Sequence, residues 1–488
     1  MTLVRVLVAA GVAMLAARSG FTFSQEAAAG KGLGNGTPPD SATSSLWTRK
    51  QGVDWPRFLG PSGDGKSPET GLVTPWPERG PRIVWHKPIG VGYGIGSISA
   101  GRYYHYDRVG NEARVNCMRA ETGELLWSYK HPTRYVDMYG YDGGPRASPV
   151  VDEDRVYLYS VEGLLFCLNA FTGAEIWKVD TMRQFGVVQN FFGVGSTPVV
   201  EGDLLIVMIG GSDEDSRLIP SRQFDLVRGN GSGIVAFDKR TGAVKYQLTD
   251  ELASYSSPQL ATVNNRRWCF AFCRGGLVGF DPRSGKLDFE FPWRARMLES
   301  VNASTPVVMG NQVLITEAYS IGSALLEVRP AGAPKVIWDD SKKARAKSLK
   351  CHWNTPIEVD GYVYGCSGRH SPESDLRCVD WKTGEVQWSE PLRIWSTLTY
   401  VDGHFICLSE DGHLQLLRAN PRKFDLVSEI DLMEPAAEPQ PAGAPEKPLL
   451  RQPCWAAPIL SHGLLFVRGD NRLACLELIP EPRARDGR

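Results

Sequence analysis

Apolar residues in this chain occur in short runs that are separated by Gly, Asp, Asn or Ser. Residues 148–177, SPVVDEDRVYLYSVEGLLFCLNAFTGAEIW, contain three such runs and the start of a fourth. Short apolar runs bounded by turn residues are typical of β-strands, whereas an amphipathic helix needs apolar residues at three- and four-residue spacing over a longer stretch. The segment therefore predicts three short strands and the beginning of a fourth.

The same pattern recurs along the chain. A Ser-Pro, Thr-Pro or Ala-Pro pair followed by an apolar strand begins six copies, and the segments near Ile98 and Leu398 hold the same place without a proline. Successive copies are about 40 to 60 residues apart, which is the repeat length of four-stranded propeller blades. The prolines that mark the six copies are Pro149, Pro198, Pro258, Pro306, Pro356 and Pro458.

A second signature closes most copies. A Thr-Gly or Ser-Gly pair is followed, four residues after the Gly, by an aromatic residue. The glycine allows a tight turn with a positive φ before the fourth strand, and an aromatic ring at a fixed distance can pack against the neighbouring repeat. We predict that these rings dock one blade onto the next. The predicted docking residues are Trp127, Trp177, Tyr246, Phe289 and Trp388, with Trp338 in a degenerate copy and Trp85 ahead of the first copy.

The two ends of the repeat array complement each other. The last copy, at residues 456–480, stops after three strands, and residues 81–90, PRIVWHKPIG, supply an unpaired fourth strand before the first copy. Pairing of these segments removes both open edges, which would otherwise expose backbone hydrogen-bonding groups. The sequence thus predicts an all-β, eight-bladed propeller of four-stranded antiparallel blades, closed by the N-terminal strand.

The N-terminal region has a different composition. Arg5 precedes an apolar run at residues 6–17 that is too short to span a bilayer but suits a secretion signal, although an uncleaved anchor is the alternative interpretation. We therefore expect export to the periplasm or the cell exterior, without a transmembrane helix. The predicted parts are a signal peptide at 1–29, a flexible linker at 30–53, the propeller at 54–480 with a Pro/Ala-rich insertion at 434–453, and a tail at 481–488.

Charge and cysteine content exclude several functions. The 54 Lys and Arg residues balance 55 Asp and Glu residues, so no overall positive field attracts nucleic acid. Cys117, Cys167, Cys378 and Cys475 share one position in the third predicted strand, which indicates small buried residues. The spacing of Cys and His residues matches no compact zinc pattern, and we predict no metal-binding residues.

The repeat resembles a known family. Residues 236–246, AFDKRTGAVKY, and 378–388, CVDWKTGEVQW, are similar to the tryptophan-docking motif of the PQQ-like β-propellers. That family includes quinoprotein alcohol dehydrogenases and the outer-membrane assembly factor BamB. The resemblance covers residues 54–480 and implies the propeller fold, but it implies no single function because the family contains both enzymes and binding scaffolds.

Residues just before each innermost strand line the mouth of the central channel in a propeller. In this chain they are rich in aromatic and amide side chains, which suit a flat polar ligand, a sugar or an extended peptide. The alternative is that the rings fill the channel as core. The predicted ligand-binding residues are Arg146, Tyr255, Asn302, His352, Trp353 and Trp455, and the same positions include Tyr93, Gly94, Asp142, Asn190, Phe192, Asn354 and Trp395.

The resemblance also implies a test for enzyme activity. Quinoprotein alcohol dehydrogenases place two adjacent cysteines and a Trp on either side of the quinone, beside a calcium ion held by Glu, Asn and Asp. The nearest cysteines here are Cys269 and Cys273, which are not adjacent, and Trp353, Asn302, Glu299 and Asp142 make only a partial imitation. We assign no catalytic residues.

Three functions follow from these observations. The leading hypothesis is an exported, non-catalytic propeller that acts as a monomeric binding or assembly scaffold in the cell envelope. Its partners would be envelope proteins or a polar ligand at the propeller mouth. The alternatives are a PQQ-dependent oxidoreductase that uses calcium and a carbohydrate-binding propeller.

Overall fold

A computed structural model describes residues 44–369, 373–392, 394–435 and 447–481. The predicted signal peptide lies outside these residues, as do the centre of the Pro/Ala-rich insertion and all but the first residue of the tail. No helix within the described ranges is long and apolar enough to cross a membrane.

The strands form eight sheets, each built mainly from consecutive strands. The N-terminal strands are β1 (Lys66–Ser67) and β2 (Arg82–Pro88). Blade 1 contains β3 (Ser97–Ser99), β4 (Arg102–Val109), β5 (Glu112–Arg119) and β6 (Leu125–Pro132). Blade 2 contains β7 (Val150–Asp152), β8 (Arg155–Tyr159), β9 (Leu164–Asn169) and β10 (Glu175–Asp180), followed by helix α1 (Thr181–Phe185). Blade 3 contains β11 (Val199–Glu201), β12 (Leu204–Met208), β13 (Ile234–Asp238) and β14 (Val244–Leu248), with 3-10 turns at Asp215–Leu218 and Ser221–Leu226.

The remaining blades repeat this arrangement. Blade 4 contains β15 (Gln259–Val263), β16 (Arg266–Phe272), β17 (Gly276–Phe280) and β18 (Leu287–Pro292). Blade 5 contains β19 (Val307–Met309), β20 (Gln312–Glu317), β21 (Gly322–Glu327) and β22 (Lys335–Asp339). Blade 6 contains β23 (Ile357–Val359), β24 (Tyr362–Ser367), β25 (Asp375–Asp380) and β26 (Val386–Pro391). Blade 7 contains β27 (Ser396–Val401), β28 (His404–Ser409), β29 (His413–Arg418) and β30 (Leu426–Asp431), and blade 8 contains β31 (Ile459–Ser461), β32 (Leu464–Arg468) and β33 (Arg472–Glu477).

Blade 8 is completed by the N-terminal strand, as predicted. Strand β2 pairs antiparallel with β33, from Arg82 opposite Glu477 to Pro88 opposite Arg472. With the sheet order β2-β33-β32-β31, blade 8 therefore has four strands, as the other blades do. The prediction of an eight-bladed, four-stranded antiparallel propeller is confirmed.

The hydrophobic core is divided among the blade interfaces. Tyr104 and Val115 of blade 1 pack with Phe166 of blade 2, and comparable clusters join each pair of neighbouring blades in the described chain, including blades 8 and 1. The four third-strand cysteines are buried in these clusters with free thiols. Each sheet thus buries its faces against its two neighbours.

The predicted docking rings lie at these interfaces. In blade 1, the indole Nε1 of Trp127 donates a hydrogen bond of 3.1 Å to the carbonyl of Ala170 in blade 2. The ring lies over Gly173, where φ is 74° and an added Cβ would come within 2.5 Å of the indole. The Thr-Gly glycine is therefore required both for its turn conformation and for the room it leaves.

The same contact recurs around most of the ring. The docking side chain of one blade bonds to a backbone carbonyl of the next, and a bulge between the third and fourth strands directs it outward from its own sheet. Phe289 differs, because a phenyl ring has no hydrogen-bonding group, and it packs with Trp268 and Phe270 of its own blade inside the cluster shared with blade 5. The polar contacts are Trp85 to Ala120, Trp177 to Lys239, Tyr246 to Pro282, Trp338 to Trp381 and Trp388 to Asn420.

The Ser-Pro and Thr-Pro pairs form a second set of contacts close to the axis. The backbone N–H of Ser148 donates to Thr197 Oγ1 at 3.0 Å, and that of Thr197 donates to Ser257 Oγ at 3.0 Å. The series continues from Ser257 to Thr305 at 3.3 Å and from Thr305 to Thr355 at 3.2 Å. The Ser or Thr before five of the six prolines thus takes part in a bond between neighbouring inner strands, which explains why this pair recurs.

Residues 44–53 are packed against the propeller, whereas the sequence places them in a flexible linker. The indole of Trp47 stacks on His462 at 4.1 Å and donates to Asp54 Oδ1 at 2.8 Å. Arg49 forms an ion pair of 2.9 Å with Glu477, and both groups are largely buried. The described part of this segment therefore packs on the propeller through Trp47 and Arg49.

The next segment, residues 55–67, crosses one end of the central channel. The carbonyls of Trp55 and Pro56 accept hydrogen bonds from Ile98 in blade 1 and Val151 in blade 2. Further along, strand β1 pairs in parallel with β27 of blade 7. Because blades 2 and 7 lie on different sides of the axis, the segment passes over the end of the channel.

We predict that Trp85→Ala destabilises the protein by about 3–5 kcal/mol, because it removes a buried ring and its hydrogen bond at the interface that closes the propeller. Leu125→Ala, at a side chain that is 55% exposed on β6, is the matched control and should change stability by less than about 0.5 kcal/mol. Chemical unfolding followed by circular dichroism measures both. Equal effects of the two substitutions would contradict the docking role.

Candidate functional site

The central channel holds a cavity of about 460 Å³. One end is closed by Phe58 and Leu59 from the crossing segment, and Leu59 is buried with a positive φ of 61°. The wall is formed by residues at the start of the inner strands and by the loops before them. The cavity is therefore a cup with a closed floor and a mouth at the opposite end, and we refer to it as the cup.

Five of the six predicted ligand-binding residues line the cup, namely Arg146, Tyr255, His352, Trp353 and Trp455. The sixth, Asn302, does not. Its side chain is fully buried, and its amide Nδ2 donates to the carbonyls of Cys273 at 2.7 Å and Trp293 at 3.0 Å. Asn302 thus connects backbone segments behind the wall. Of the other mouth positions, Tyr93, Gly94, Phe192, Asn354 and Trp395 line the cup, and Asp142 and Asn190 do not.

Several lining residues were missed by the sequence analysis. Tyr319 and Arg369 follow the second strands of blades 5 and 6, and the loops after second strands open at the same end of a propeller as those before the inner strands. Tyr319 and Arg369 could therefore have been predicted from their position after a second strand. Phe58 and Leu59 could not be predicted in this way, because the path of the N-terminal segment depends on contacts with distant blades.

Aromatic rings form a continuous arc around the wall. Trp353 packs edge-on against Trp395 with ring centres 3.9 Å apart, and against Trp455 at 4.7 Å. Trp455 in turn contacts Tyr93 at 4.6 Å and Tyr141 at 5.8 Å. These rings surround the cavity and do not fill it, so the alternative in which they plug the channel as core does not describe the structure.

The arc continues on the other side of the mouth. Phe192 contacts Tyr141 at 5.6 Å, Tyr139 at 5.5 Å and Tyr255 at 5.5 Å. The hydroxyl of Tyr255 accepts the backbone N–H of Phe192 at 2.7 Å, which fixes both side chains. The arc therefore offers aromatic faces and edges at several orientations.

Arg146 is a paired cation. Its Nη2 lies 2.8 Å from the buried carboxylate of Asp137, its Nη1 donates to the carbonyl of Gly144 at 2.8 Å, and its guanidinium lies over the ring of Tyr93. Since Asp137 neutralises the charge, Arg146 stabilises the loop before blade 2 as well as lining the cup.

Two other charged side chains line the cup. The guanidinium of Arg369 lies 4.1 Å from the ring centre of Tyr319, and neither Arg369 nor Glu299 forms an ion pair with another described residue. Their charges are opposite, so the charged groups of the wall sum to about zero once the Arg146–Asp137 pair is included.

A buried network holds Tyr319 in place. The carboxyl group of Glu317 accepts hydrogen bonds of 2.8 Å from Ser300 Oγ and from the backbone N–H of Tyr319. Burial raises the pKa of Glu317 to about 7, because the charged form loses its hydration. The hydroxyl of Tyr319 lies 3.0 Å from His352 Nε2, and burial raises the pKa of Tyr319 to about 12. The aromatic wall on this side therefore rests on buried polar contacts.

The lower wall carries hydroxyl groups. Ser148, Thr197, Ser257 and Thr355 line the cup just above the floor. Thr197, Ser257 and Thr355 each accept a backbone N–H through the side-chain oxygen, as described for the inter-blade contacts. Within the described chain none of these three hydroxyls has an acceptor for its own hydrogen, so each can donate into the cavity.

The wall does not match the donor set that a quinone and calcium need. Calcium takes six to eight oxygen ligands, several of them carboxylates, and Glu299 is the carboxylate that lines the cup. The described residues contain no group of three or more His, Cys, Asp and Glu side chains able to hold a metal ion. Cys269 and Cys273 are buried between blades 3 and 4, away from the cup. The residues present do not fit a calcium-bound quinone flanked by cysteines.

Comparison with known sequences identifies two kinds of relative. The outer membrane protein assembly factor BamB of Moranella endobia is 20% identical over 309 residues, which cover 61% of this chain and 68% of that protein. The dehydrogenase subunit of the quinone alcohol dehydrogenase of Komagataeibacter europaeus is 27% identical over 142 residues, which cover 28% of this chain. The chain matches only 17% of the length of that dehydrogenase.

Two solved structures with a similar fold are of the same two kinds. BamB from Moraxella catarrhalis superposes with a TM-score of 0.54 and 14% identity, over 83% of this chain and 98% of that chain. The quinohemoprotein alcohol dehydrogenase from Comamonas testosteroni superposes with a TM-score of 0.57 and 13% identity, over 89% of this chain and 82% of that chain. At this level of identity the likeness shows the fold alone.

A family model matches the central part of the chain. Residues 111–390 match the model described as outer membrane protein assembly factor BamB. The matched region runs from β5 of blade 1 to β26 of blade 6 and therefore includes complete docking motifs in consecutive blades. Since it covers more than half of the sequence, this chain belongs to the BamB family of PQQ-like β-propellers.

Proposed function

We propose that this protein is an exported, non-catalytic propeller that binds other envelope proteins and acts as a scaffold. Membership of the BamB family, over residues 111–390, is the observation that carries this proposal. The mismatch between the cup and a calcium-bound quinone supports a binding role over a redox role.

The mouth end of the propeller offers a surface for protein partners. Val136 and Tyr139, in the loop before blade 2, are 84% and 49% exposed, and Leu218, in the long loop of blade 3, is 91% exposed. Both loops are at the mouth, because Tyr139 packs on Phe192 and the blade 3 loop packs on the same connection through Phe224. Large exposed apolar side chains gathered at one end of a protein are typical of interaction sites.

The partner surface can be tested by photo-crosslinking in the native envelope. A benzophenone amino acid at position 136 or 218 should give defined adducts, because these side chains project from the mouth end. The same label at Leu125, which is 55% exposed on the outer strand of blade 1, is the control and should give few adducts. Adducts at equal yield from all three positions would contradict a partner surface at the mouth.

Export can be tested separately from binding. The full chain and a chain that begins at residue 30 should differ in location, because only the first carries the positively charged and apolar segment of a secretion signal. We expect the full chain in the envelope fraction and the shortened chain in the cytoplasm, measured by fractionation and immunoblotting. Retention of the full chain in the cytoplasm would contradict export.

The PQQ-dependent oxidoreductase is the competing function, and the quinone alcohol dehydrogenase relatives support it. We expect no saturable change in quinone absorbance when the purified protein is titrated with PQQ at micromolar concentration, with or without calcium, because the cup lacks a calcium donor set. Calcium-dependent binding followed by dye reduction with an alcohol would overturn the scaffold proposal. An authentic quinoprotein dehydrogenase, titrated in parallel, is the positive control.

A further inference from the structure

The cup has no assigned ligand, and its chemistry points to a small class of molecules. We propose that the cup binds the end of a neutral oligosaccharide. This inference goes beyond partner binding, which is tested at the exposed side chains Val136 and Leu218 beside the mouth. It rests on the shape of the cup, on its hydrogen-bonding groups, on its aromatic arc and on its charge balance.

Shape excludes a ligand that passes through the propeller. Phe58 and Leu59 close the floor, and the crossing segment that carries them bonds to blades 1, 2 and 7. A ligand therefore enters from the mouth and stops at the floor. The volume of about 460 Å³ lies within the range of small-molecule sites and is suited to the terminal part of a chain.

The polar groups of the wall match sugar hydroxyls. Each sugar hydroxyl both donates and accepts a hydrogen bond. The hydroxyls of Thr197, Ser257 and Thr355 offer donors near the floor, whereas the carboxylate of Glu299 offers acceptors higher on the wall. A ligand that only accepts would leave Glu299 desolvated without a donor, which is unfavourable. A ligand that both donates and accepts hydrogen bonds can pair with the hydroxyl groups near the floor and with Glu299 at the same time.

The aromatic arc suits the C–H faces of a sugar ring. A pyranose ring presents C–H groups on its faces and hydroxyls at its edge. The faces of aromatic rings carry partial negative charge and pack favourably on such C–H groups. Trp353, Trp455 and Tyr93 provide adjoining rings inclined at 40° to 50° to one another, so successive sugar rings can meet successive aromatic rings.

Charge favours a neutral sugar over an acidic one. Arg146 is neutralised by Asp137, and the two remaining charged groups, Arg369 and Glu299, have opposite signs. An oligosaccharide with a carboxylate on each residue would meet Glu299 as well as Arg369 within the cup. Repulsion from Glu299 therefore opposes binding of a polyanion.

Isothermal titration calorimetry with defined oligosaccharides tests the proposal. The probes are cellotetraose, maltotetraose, mannotetraose and triacetylchitotriose as neutral sugars, with tetragalacturonate as the acidic counterpart. We expect saturable binding of at least one neutral probe with a stoichiometry of one, and weaker or no binding of tetragalacturonate. Failure of all four neutral probes to bind would overturn the proposal, as would tighter binding of the acidic sugar.

Two variants place the bound sugar in the cup. Glu299→Gln keeps the shape of the side chain but replaces a charged acceptor, and we expect the dissociation constant to rise about tenfold or more. Trp455→Phe reduces the aromatic face at the centre of the arc and should weaken binding in the same direction. Glu385→Gln, at an exposed acid in a blade 6 turn, is the matched control and should bind like the unmodified protein.

The two variants also show whether a bound sugar lies in the cup. If a neutral sugar binds but Glu299→Gln and Trp455→Phe leave the dissociation constant unchanged, the site lies outside the cup and the inference is wrong. Circular dichroism of each variant verifies the fold, so a loss of binding with an intact spectrum supports the cup as the site. Crosslinking from positions 136 and 218 is measured without added sugar and is unaffected by either result.

Discussion

The propeller depends on one recurring contact, the packing of an aromatic ring from an outer strand over a glycine of the next blade, which five of the eight blades make. Trp127 over Gly173 shows why both partners are needed, since the turn requires a positive φ and any side chain on the glycine would collide with the indole. A single four-stranded sheet leaves two faces exposed, and it becomes stable only when neighbours cover them. Because the contact is directional, from one blade to the following one, it also sets the order in which the blades pack.

Closure follows from the same constraint. The last repeat lacks an outer strand and would end in an open edge, but β2 supplies both the missing strand and the docking residue Trp85. Ahead of β2, residues 55–67 of the N-terminal segment also connect blades that are distant in sequence, and they do so across the closed end of the channel. The closed floor of the cup is thus a consequence of how the chain enters the ring.

The fold could be predicted from the sequence because its determinants are local and repeated. The Thr-Gly turns, the spacing to Trp127 or Trp177 and the truncated last repeat are all visible in the order of residues. The wall of the cup was partly predictable, since position before an inner strand identified Trp353 and Trp455. Asn302 shows the limit of that rule, because position in the repeat does not determine whether a side chain turns toward the axis or back into the loop. Phe58 was beyond such reasoning, since it belongs to no repeat.

The residues that stabilise the propeller and the residues that line the cup lie in different parts of each blade. The docking residues lie in the strands and turns that hold the blades together, so a change there acts on the whole ring. Glu299 and Arg369 lie in loops at the mouth, where neither forms an ion pair with another described residue. A propeller can therefore lose the donors for a metal and a quinone, or acquire the mixed hydroxyl, aromatic and carboxylate wall seen here, without any change in the contacts that stabilise it. The fold therefore does not select the ligand of the cup, whereas the residues of its wall do.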